Sequence, residues 1–318
     1  MAITISGSGI TSANIADGTI TTDDILASDV VSLKSGRKNL IINGGFDVWQ
    51  RGTSFTTSTA GGEYTADRWK VYWSASSNTT VTKQTDASGV PFSNYIRIDN
   101  TVDADTTWIE LNQYVEDYGH LINNTVTLSF WAKASYAIQD AYIYTNAGVV
   151  SDAYALTTSW AKYEFTLNLG AGTVAADGAL RVLLGTQSAV NADSYIEYGQ
   201  VQLELGSVAT DFEHRSYGEE LALCQRYYEI VTAAAAWSWT STTGVRIYGQ
   251  FRTEKRVSPS VSGSPIAVTN GNMGATQSSF AGPTTNAYGF NSYCYNFTAL
   301  NTTRSYVVTS TMYFDAEL

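Results

Sequence analysis

Strict alternation of apolar and polar residues recurs along the middle of the chain and constrains its fold more than any other feature. In TVTLSFWAKAS, residues 125–135, apolar residues recur at every second position. KYEFTLNLG at residues 162–170 and ALRVLLG at residues 179–185 carry the same pattern. Successive side chains of a strand point to opposite faces, so a two-residue period predicts strands with one buried face. Several such strands between residues 39 and 215, separated by Gly, Asn and Ser turns, predict an antiparallel β-sandwich.

The composition agrees with a mainly β fold and argues against two kinds of partner. Aromatic residues make up 13% of the 318 residues, and charged residues only 15%. β-Branched and aromatic side chains suit the pleated, half-buried surface of a sheet. The formal net charge of −11 argues against nucleic acid as a partner, because nucleic acid requires a basic surface. No run of 18 apolar residues is present, so we expect no membrane insertion.

One predicted strand changes its alternation midway. In YIEYGQVQLELG, residues 195–206, Ile196 and Tyr198 share one parity, whereas Val201 and Leu203 share the other. A glycine inside a strand often marks a bulge, where one extra residue shifts the register. Gly199 stands where the parity changes, so the sequence predicts a β-bulge there.

A single helix is predicted after the sandwich, in SYGEELALCQRYYE at residues 216–229. Its apolar residues follow helical spacing: Tyr217, Leu221, Cys224 and Tyr228. Ser216 and Glu219 have the spacing of a capping box, which marks the start of a helix. We interpret residues 216–229 as a connecting helix. Residues 230–318 follow it as a β-sandwich-like tip domain with Gly and Asn turns.

The first 38 residues carry a five-residue repeat. An aliphatic residue begins each block of five: Ile5, Ile10, Ile15, Ile20, Ile25 and Val30. A period of five matches neither a helix nor a strand, so one chain cannot gather these residues on one face of a regular element. Several chains wound about a common axis would bury all six. The pattern therefore predicts an intertwined oligomeric stem at residues 1–38, and a disordered leader or a single-chain β-solenoid are the alternatives.

Several segments of the chain resemble bacteriophage tail-fibre and related virion appendage proteins. They are ANIADGTITTDDI (13–25), NLIINGGFDVWQRGTSF (39–55), ADRW (66–69), IEYGQVQLELGSVATDFEHRSYGEELALCQRYYE (196–229) and DAEL (315–318). The resemblance implies a homotrimeric virion protein that is made in the cytoplasm of a bacterial host. It implies attachment to the particle by the N-terminal segment and binding of a host surface polysaccharide. Other phage tail or baseplate proteins are the further partners that it implies.

The sandwich segment also resembles a carbohydrate-binding module of the jelly-roll kind. The matching residues are Asn43, Gly44, Phe46, Asp47, Ile196, Glu197, Tyr198 and Gly199. In such modules the opening and closing acids can share a structural calcium ion, here through Asp47 and Glu197. Tyr198 or Gly199 stands where the modules have a later acid, and a hydrogen-bonded carboxylate pair without metal is the alternative. No other cofactor is expected.

A search for catalytic motifs finds none. The two histidines, His120 and His214, lie in no metal-binding spacing, and neither a nucleophile elbow nor a phosphate-binding loop is present. We therefore expect that the chain is not an enzyme, although acids paired only in space would escape such a search.

Aromatic residues of the C-terminal segment are the candidates for glycan binding. Trp237 and Trp239 lie two apart and would share one face of a strand, and Tyr288 and Tyr293 follow in a tyrosine-rich stretch. The alternative for the tryptophan pair is packing in the C-terminal core or against a neighbouring chain. Trp69 and Trp131 are expected in the core of the sandwich.

Three functions fit these observations. The first is a phage fibre that binds a host surface glycan. The second is a purely structural fibre or connector, and the third is a glycan-hydrolysing tailspike. The short chain favours the first two.

Overall fold

A computed structural model describes most of the chain after residue 36. The described ranges are 37–57, 61–73, 79–100, 108–146, 154–170, 179–186, 194–233, 237–241, 244–263, 267–270, 276–277, 284–286, 292–298 and 306–317. Within them, the description omits the side chains of residues 232–249, 261 and 263–312. The six stem positions from Ile5 to Val30 lie outside the described residues, so the oligomeric stem stays a prediction.

The predicted mainly β, antiparallel sandwich is confirmed. Two six-stranded sheets form it, and every strand pair in them is antiparallel. The first sheet has the order β1 (Ser54–Thr57), β4 (Thr79–Gln84), β5 (Tyr95–Asn100), β12 (Ser194–Leu205), β7 (Thr125–Ala134) and β10 (Ala161–Asn168). The second has the order β2 (Gly61–Tyr64), β3 (Lys70–Trp73), β6 (Ile109–Val115), β11 (Leu180–Thr186), β8 (Ile138–Thr145) and β9 (Tyr154–Leu156).

The core lies between the two sheets and follows the predicted alternation. Leu128 and Phe130 of β7 and Val182 and Leu184 of β11 belong to one cluster of buried side chains. Trp69 is fully buried in that cluster, as predicted. The expectation for Trp131 is wrong. Trp131 has the opposite parity from Phe130 on β7, so its side chain lies on the outer face of the first sheet and is only partly buried.

The predicted bulge in β12 is confirmed. The pairing of β12 with β7 shifts register between Gly199 and Gln202, and Gln200 has a φ of 45°. On either side of the shift, Tyr198 and Val201 both point into the core, with exposures of 2% and 0%. One inserted residue therefore keeps both halves of the strand packed inward.

The predicted helix is present and shorter than expected. Helix α1 spans Tyr217–Gln225, and its capping box between Ser216 and Glu219 is confirmed in both directions. A separate short 3-10 helix spans Tyr118–Leu121. Helix α1 ends before Tyr228 because strand β13 (Tyr228–Ala233) begins there and pairs with the end of the chain. In the part of the chain that the structure describes, no helix is long and apolar enough to cross a membrane.

The remaining strands belong to two C-terminal sheets. One has the order β13, β21 (Tyr306–Asp315), β17 (Ala267–Asn270) and β18 (Thr276–Gln277), with β16 (Ser260–Gly263) also paired to β21. The other has the order β14 (Trp237–Ser241), β15 (Gly244–Gln250), β20 (Ser292–Thr298) and β19 (Thr284–Asn286). The predicted domain limits stay predictions, and the contacts described next cross them.

A buried ion-pair cluster fastens the end of the chain to the sandwich. The carboxylate of Glu317 is 3% exposed and pairs with Arg68, which is 1% exposed, and with Arg51 at 3.5 Å. The guanidinium carbon of Arg68 lies 3.4 Å from the ring centroid of Tyr227, and that of Arg51 lies 3.6 Å from the ring centroid of Tyr228. A deletion of residues 230–318 would therefore leave two arginines of the sandwich without their carboxylate.

We expect Glu317→Ala to lower the free energy of unfolding by about 3–5 kcal/mol, because it leaves the buried guanidinium of Arg68 unpaired. Urea unfolding followed by circular dichroism measures the change. Glu164→Ala is the matched control, since Glu164 is 49% exposed and pairs with Lys162 at the surface. The control should cost less than about 1 kcal/mol. Equal effects of the two substitutions would show that the buried cluster contributes no special stability.

Asp67 is a second buried acid near this cluster. Its carboxylate accepts hydrogen bonds from the backbone N–H of Gln50 at 2.8 Å and from the Gln50 side chain. Burial raises the pKa of the Asp67 carboxyl to about 6, although Arg51 and the bonds from Gln50 act in the opposite direction.

The raised pKa of Asp67 predicts a pH-dependent contribution to stability. The folded state holds this proton more tightly than the unfolded state, whose aspartate pKa is about 3.9. The contribution of Asp67 is therefore greatest below pH of about 4 and is lost as the pH rises through about 6. The loss is about 3 kcal/mol at about 1.4 kcal/mol for each pKa unit. The difference in unfolding free energy between the wild type and Asp67→Asn should fall by this amount between pH 4 and 7, and a constant difference contradicts the assignment.

Candidate functional site

The outer face of the second sheet brings together polar and aromatic side chains from four strands. Across the sheet, Tyr72 of β3 is paired with Glu110 of β6, Glu110 with Gly185 of β11, and Gly185 with Tyr142 of β8. Since cross-strand partners point to the same side, these residues form one row on the face opposite the core. We define the tyrosine face by six residues: Tyr72, Glu110, Asn112, Tyr142, Tyr144 and Arg181.

Arg181 organises the centre of the tyrosine face. Its Nη2 donates to Glu110 Oε2 and its Nε donates to Asn112 Oδ1, both at 2.7 Å. The hydroxyl of Tyr142 donates to the other oxygen of Glu110, also at 2.7 Å. The side chains of Arg181 and Glu110 are 27% and 14% exposed, so solvent and ligands reach both. The face therefore presents a fixed carboxylate and a fixed guanidinium at its centre.

Tyrosine rings border this polar centre on two sides. The guanidinium carbon of Arg181 lies 5.7 Å from the ring centroid of Tyr72 and 5.8 Å from that of Tyr144. Tyr72 and Tyr142 belong to strands three spacings apart in the sheet, which separates their backbones by about 14 Å. An extended ligand that lies across the strands would contact a ring at each end and charged groups between them.

Two glycines let the rings lie across neighbouring strands. A Cβ at Gly62 would collide with the ring of Tyr72, and a Cβ at Gly185 would come within 3.0 Å of the ring of Tyr142. Gly62 is the register partner of Tyr72, and Gly185 is that of Tyr142. The absent side chains therefore allow each ring to cover the adjacent strand.

The donors and acceptors of the face suit hydrogen bonds to uncharged hydroxyl groups of a ligand. Burial, followed by the hydrogen bond to Glu110, raises the pKa of the Tyr142 hydroxyl, so this hydroxyl keeps its proton at neutral pH. The Nδ2 of Asn112 is a buried donor with no hydrogen-bond partner among the described residues. Glu110 accepts hydrogen bonds and Arg181 donates them, whereas Asn112 is fully buried and only holds Arg181 in place. This is the chemistry that fixes the hydroxyl groups of a polyhydroxylated ligand while aromatic rings cover its apolar faces.

The sequence-based candidates for glycan binding lie where side chains are not described. Trp237 and Trp239 fall on strand β14, and Tyr293 falls on β20. Tyr288 lies outside the described residues. These four positions stay predictions.

The structure gives the two acids of the predicted calcium pair different partners. Glu197 pairs with Lys133 at 2.9 Å and with Arg97 at 3.4 Å, whereas Asp47 accepts a hydrogen bond from Asn94 at 2.5 Å. Among the residues with described side chains, no group of three or more His, Cys, Asp and Glu is arranged to hold a metal ion. A calcium ion shared by Asp47 and Glu197 stays a prediction, and the ion pairs of Glu197 do not support it.

The outer face of the first sheet carries a cluster of aromatic side chains that pack against one another. Phe92 covers Gly199 at the bulge, where a Cβ would come within 2.5 Å of the ring, and packs edge-on against Trp160 at 5.2 Å. Trp131 lies 6.1 Å from Phe92, and Lys133 lies over Trp160 at 5.1 Å. We interpret this cluster as a cover over the bulge, and the tyrosine face is the better candidate for a binding site.

Arg181→Met should disrupt the tyrosine face, because it leaves Glu110 without its cation and Asn112 without its donor. We expect the free energy of unfolding to fall by about 1–3 kcal/mol. Arg252→Met is the control, since Arg252 is 67% exposed and lies 3.9 Å from Glu229. The control should stay within about 0.5 kcal/mol of the wild type. An unchanged urea midpoint for Arg181→Met would refute the organising role.

Comparison with known proteins finds similarity in structure alone. Neither a protein-family model nor a curated protein sequence matches the chain. The enzymatically active domain of tailspike protein 4 from bacteriophage CBA120 has a TM-score of 0.33 and 15% identity, over 53% of this chain and 21% of that chain. A cyclase from Fischerella sp. TAU has a TM-score of 0.39 and 14% identity, over 55% and 100%. The xylan-binding domain CBM22-1 from Paenibacillus barcinonensis has a TM-score of 0.31 and 14% identity, over 48% and 99%.

The expectation that the chain is not an enzyme is contradicted by these similarities. The similar structures include an enzymatically active domain and a cyclase, so a jelly-roll sandwich without a recognisable catalytic motif does not exclude catalysis. At these identities the similarities assign no reaction to this chain. A phage tailspike domain and a carbohydrate-binding module are both among the similar structures, and the phage and glycan-binding roles stay predictions.

Proposed function

We propose that the protein is a homotrimeric phage virion appendage that binds a host surface glycan through the tyrosine face. The arrangement of Glu110 and Arg181 between tyrosine rings is the observation that carries the proposal. The N-terminal segment attaches each chain to the particle, and other tail or baseplate proteins are its partners there. The sequence resemblance to virion appendage proteins supports this part of the proposal.

Glycan is the ligand class that matches the chemistry of the face. A sugar ring presents apolar C–H faces, which pack on aromatic rings, and hydroxyl groups, which both donate and accept hydrogen bonds. Glu110 supplies the acceptor and Arg181 the donor. Arg181 lies four residues before Gly185, the register partner of Glu110, and its side chain reaches back to Glu110 at 2.7 Å. Both side chains are already held by protein hydrogen bonds, so little side-chain entropy is lost when a ligand binds.

The tyrosine face and the C-terminal tryptophans are separable candidates for recognition. If the tryptophans are the site, Trp237 and Trp239 of β14 bind glycan in the C-terminal segment and the tyrosine face does not. A purely structural connector would use neither. Point substitutions distinguish these three cases, whereas deletion of the C-terminal segment also removes Glu317 from Arg68.

The proposal predicts that Tyr72→Ala and Tyr142→Ala each weaken glycan binding at least about tenfold, which is about 1.4 kcal/mol. Each substitution removes one ring from the border of the polar centre. The labelled protein is first tested on an array of bacterial surface polysaccharides. The affinity for the best-bound polysaccharide is then measured by titration calorimetry.

Tyr195→Ala is the matched control, because Tyr195 is a partly buried tyrosine under Arg97 on the other sheet. It should bind like the wild type. Loss of binding in Trp237→Ala and Trp239→Ala, with full binding in the Tyr72 and Tyr142 variants, would move recognition to the C-terminal segment. No binding to any polysaccharide favours the structural connector. The bound polysaccharide is also assayed for new reducing ends, since the enzyme class stays open.

A further inference from the structure

The chain passes from residues 1–36 into the sandwich beside one loop. We define the junction loop as residues 206–216, between β12 and α1. The Nζ of Lys38 donates to Thr210 Oγ1 at 2.6 Å and to the carbonyl of Asp211. The backbone N–H of Asn39 donates to Glu213 Oε2 at 2.8 Å, and Arg215 donates to the carbonyl of Asn39. The junction loop therefore fixes where the N-terminal segment leaves the sandwich.

Large apolar side chains are exposed at this place. Among the residues with described side chains, three large hydrophobic residues are exposed: Val208 at 72%, Tyr217 at 60% and Val257 at 36%. Val208 belongs to the junction loop, and Tyr217 directly follows it as the first residue of α1. Exposed apolar groups that collect in one region mark interaction surfaces, whereas single scattered ones do not.

Val208 and Tyr217 flank the loop residues that hold Lys38 and Asn39. Thr210, which accepts the hydrogen bond from Lys38, lies two residues after Val208. Arg215, which donates to the carbonyl of Asn39, lies two residues before Tyr217. Both exposed side chains are therefore close to the place where the N-terminal segment leaves the sandwich.

The six aliphatic stem positions limit how far this surface can lie from other copies. Val30, the last of them, precedes Arg37 by seven residues. A chain of that length spans at most about 25 Å when fully extended. If three stems associate, each junction loop must lie within about that distance of the common bundle.

We infer that Val208 and Tyr217 form a contact surface between copies of this chain, beside the point where the N-terminal segment joins the sandwich. The inference rests on the homotrimer of the proposed function and names the surface that packs next to the stem. In a three-fold ring each copy presents one surface to a neighbour and receives a different surface from the other neighbour. Val208 and Tyr217 therefore contact other residues of the next copy, and both become buried.

The test is the mass of the full-length protein in solution. Sedimentation velocity over a dilution series should give a wild-type mass near three times 34.4 kDa. The double variant Val208→Ser, Tyr217→Ser should dissociate at protein concentrations at least tenfold higher than the wild type. Val257→Ser is the control and should match the wild type, because the neighbouring Arg256 bonds to Arg226, at the opposite end of α1 from Tyr217. Tyr217→Phe keeps the apolar ring and should also match the wild type.

Each outcome decides the inference. A double variant that dissociates like the Val257→Ser control, from a trimeric wild type, overturns the surface and leaves the trimer to the stem alone. A monomeric wild type overturns both the homotrimer and the surface. The midpoint of thermal unfolding is also measured for the monomeric fraction of the double variant. An unchanged midpoint supports a contact between copies. A much lower midpoint shows that the two side chains stabilise a single chain, and it overturns the inference. Glycan titration of the variants is independent of these outcomes, so a failure of the tyrosine face is recognised separately.

Discussion

The packing of the sandwich core depends on the register shift between Gly199 and Gln202 in β12. The shift lets both halves of this strand turn their apolar side chains inward. Before the shift, β12 pairs with β5, and after it the segment that enters the sandwich takes the place of β5. Leu40 N donates to Leu203 O at 2.8 Å, and Val201 N donates to Gly44 O at 2.9 Å. Without the extra residue, one half of β12 would turn its apolar side chains to the outside. Gly44 approaches the carbonyl of Val201 so closely that a Cβ would collide with it.

Asn43 and α1 connect this entering segment to the rest of the chain. The backbone N–H of Asn43 donates to Glu220 Oε1 at 2.6 Å, and its carbonyl accepts a hydrogen bond from Trp69 Nε1 at 2.8 Å. Glu220 is 7% exposed and also pairs with Arg215 of the junction loop. The entering segment, helix α1 and the end of the chain therefore all share buried polar contacts with the sandwich.

Local sequence patterns predicted the strands, the bulge and the helix of this fold. They could not predict contacts between residues that are far apart in the sequence. Alternation in residues 125–135, the parity change at Gly199 and the spacing of Ser216 and Glu219 are each contained within a few residues, and each predicted the observed geometry. The side of the sheet that Trp131 occupies follows from the same parity, and hydrophobicity alone misplaced it. Arg68 and Glu317 meet across 249 positions, so no local period could pair them.

The tyrosine face shows the same limit for a functional site. Its residues come from strands β3, β6, β8 and β11, and only the strand order of the sheet brings them together. Tyrosines at outward positions in KVYW and AYIYT were the available signal, namely aromatic residues at the parity where polar residues are expected. The aromatic cluster on the first sheet carries the same signal, so the signal alone does not identify a site. Both faces also carry a polar centre, Glu197 with Lys133 and Arg97 on the first sheet and Glu110 with Arg181 on the second. What separates them is access, because the Glu197 side chain is 2% exposed and that of Glu110 is 14% exposed.

Three copies of the tyrosine face in one trimer would lower the affinity that each face needs. In the proposed trimer, binding of one tyrosine face to a polysaccharide raises the effective concentration of that polymer at the other two. Each face can then bind weakly and exchange quickly while the particle stays attached. A shallow, solvent-reachable sheet surface with few charged groups suits such binding better than a closed pocket. The rigidity that Arg181 gives to Glu110 and the fixed rings of Tyr72 and Tyr142 would supply selectivity, because a ligand must match a geometry that the sheet does not adjust.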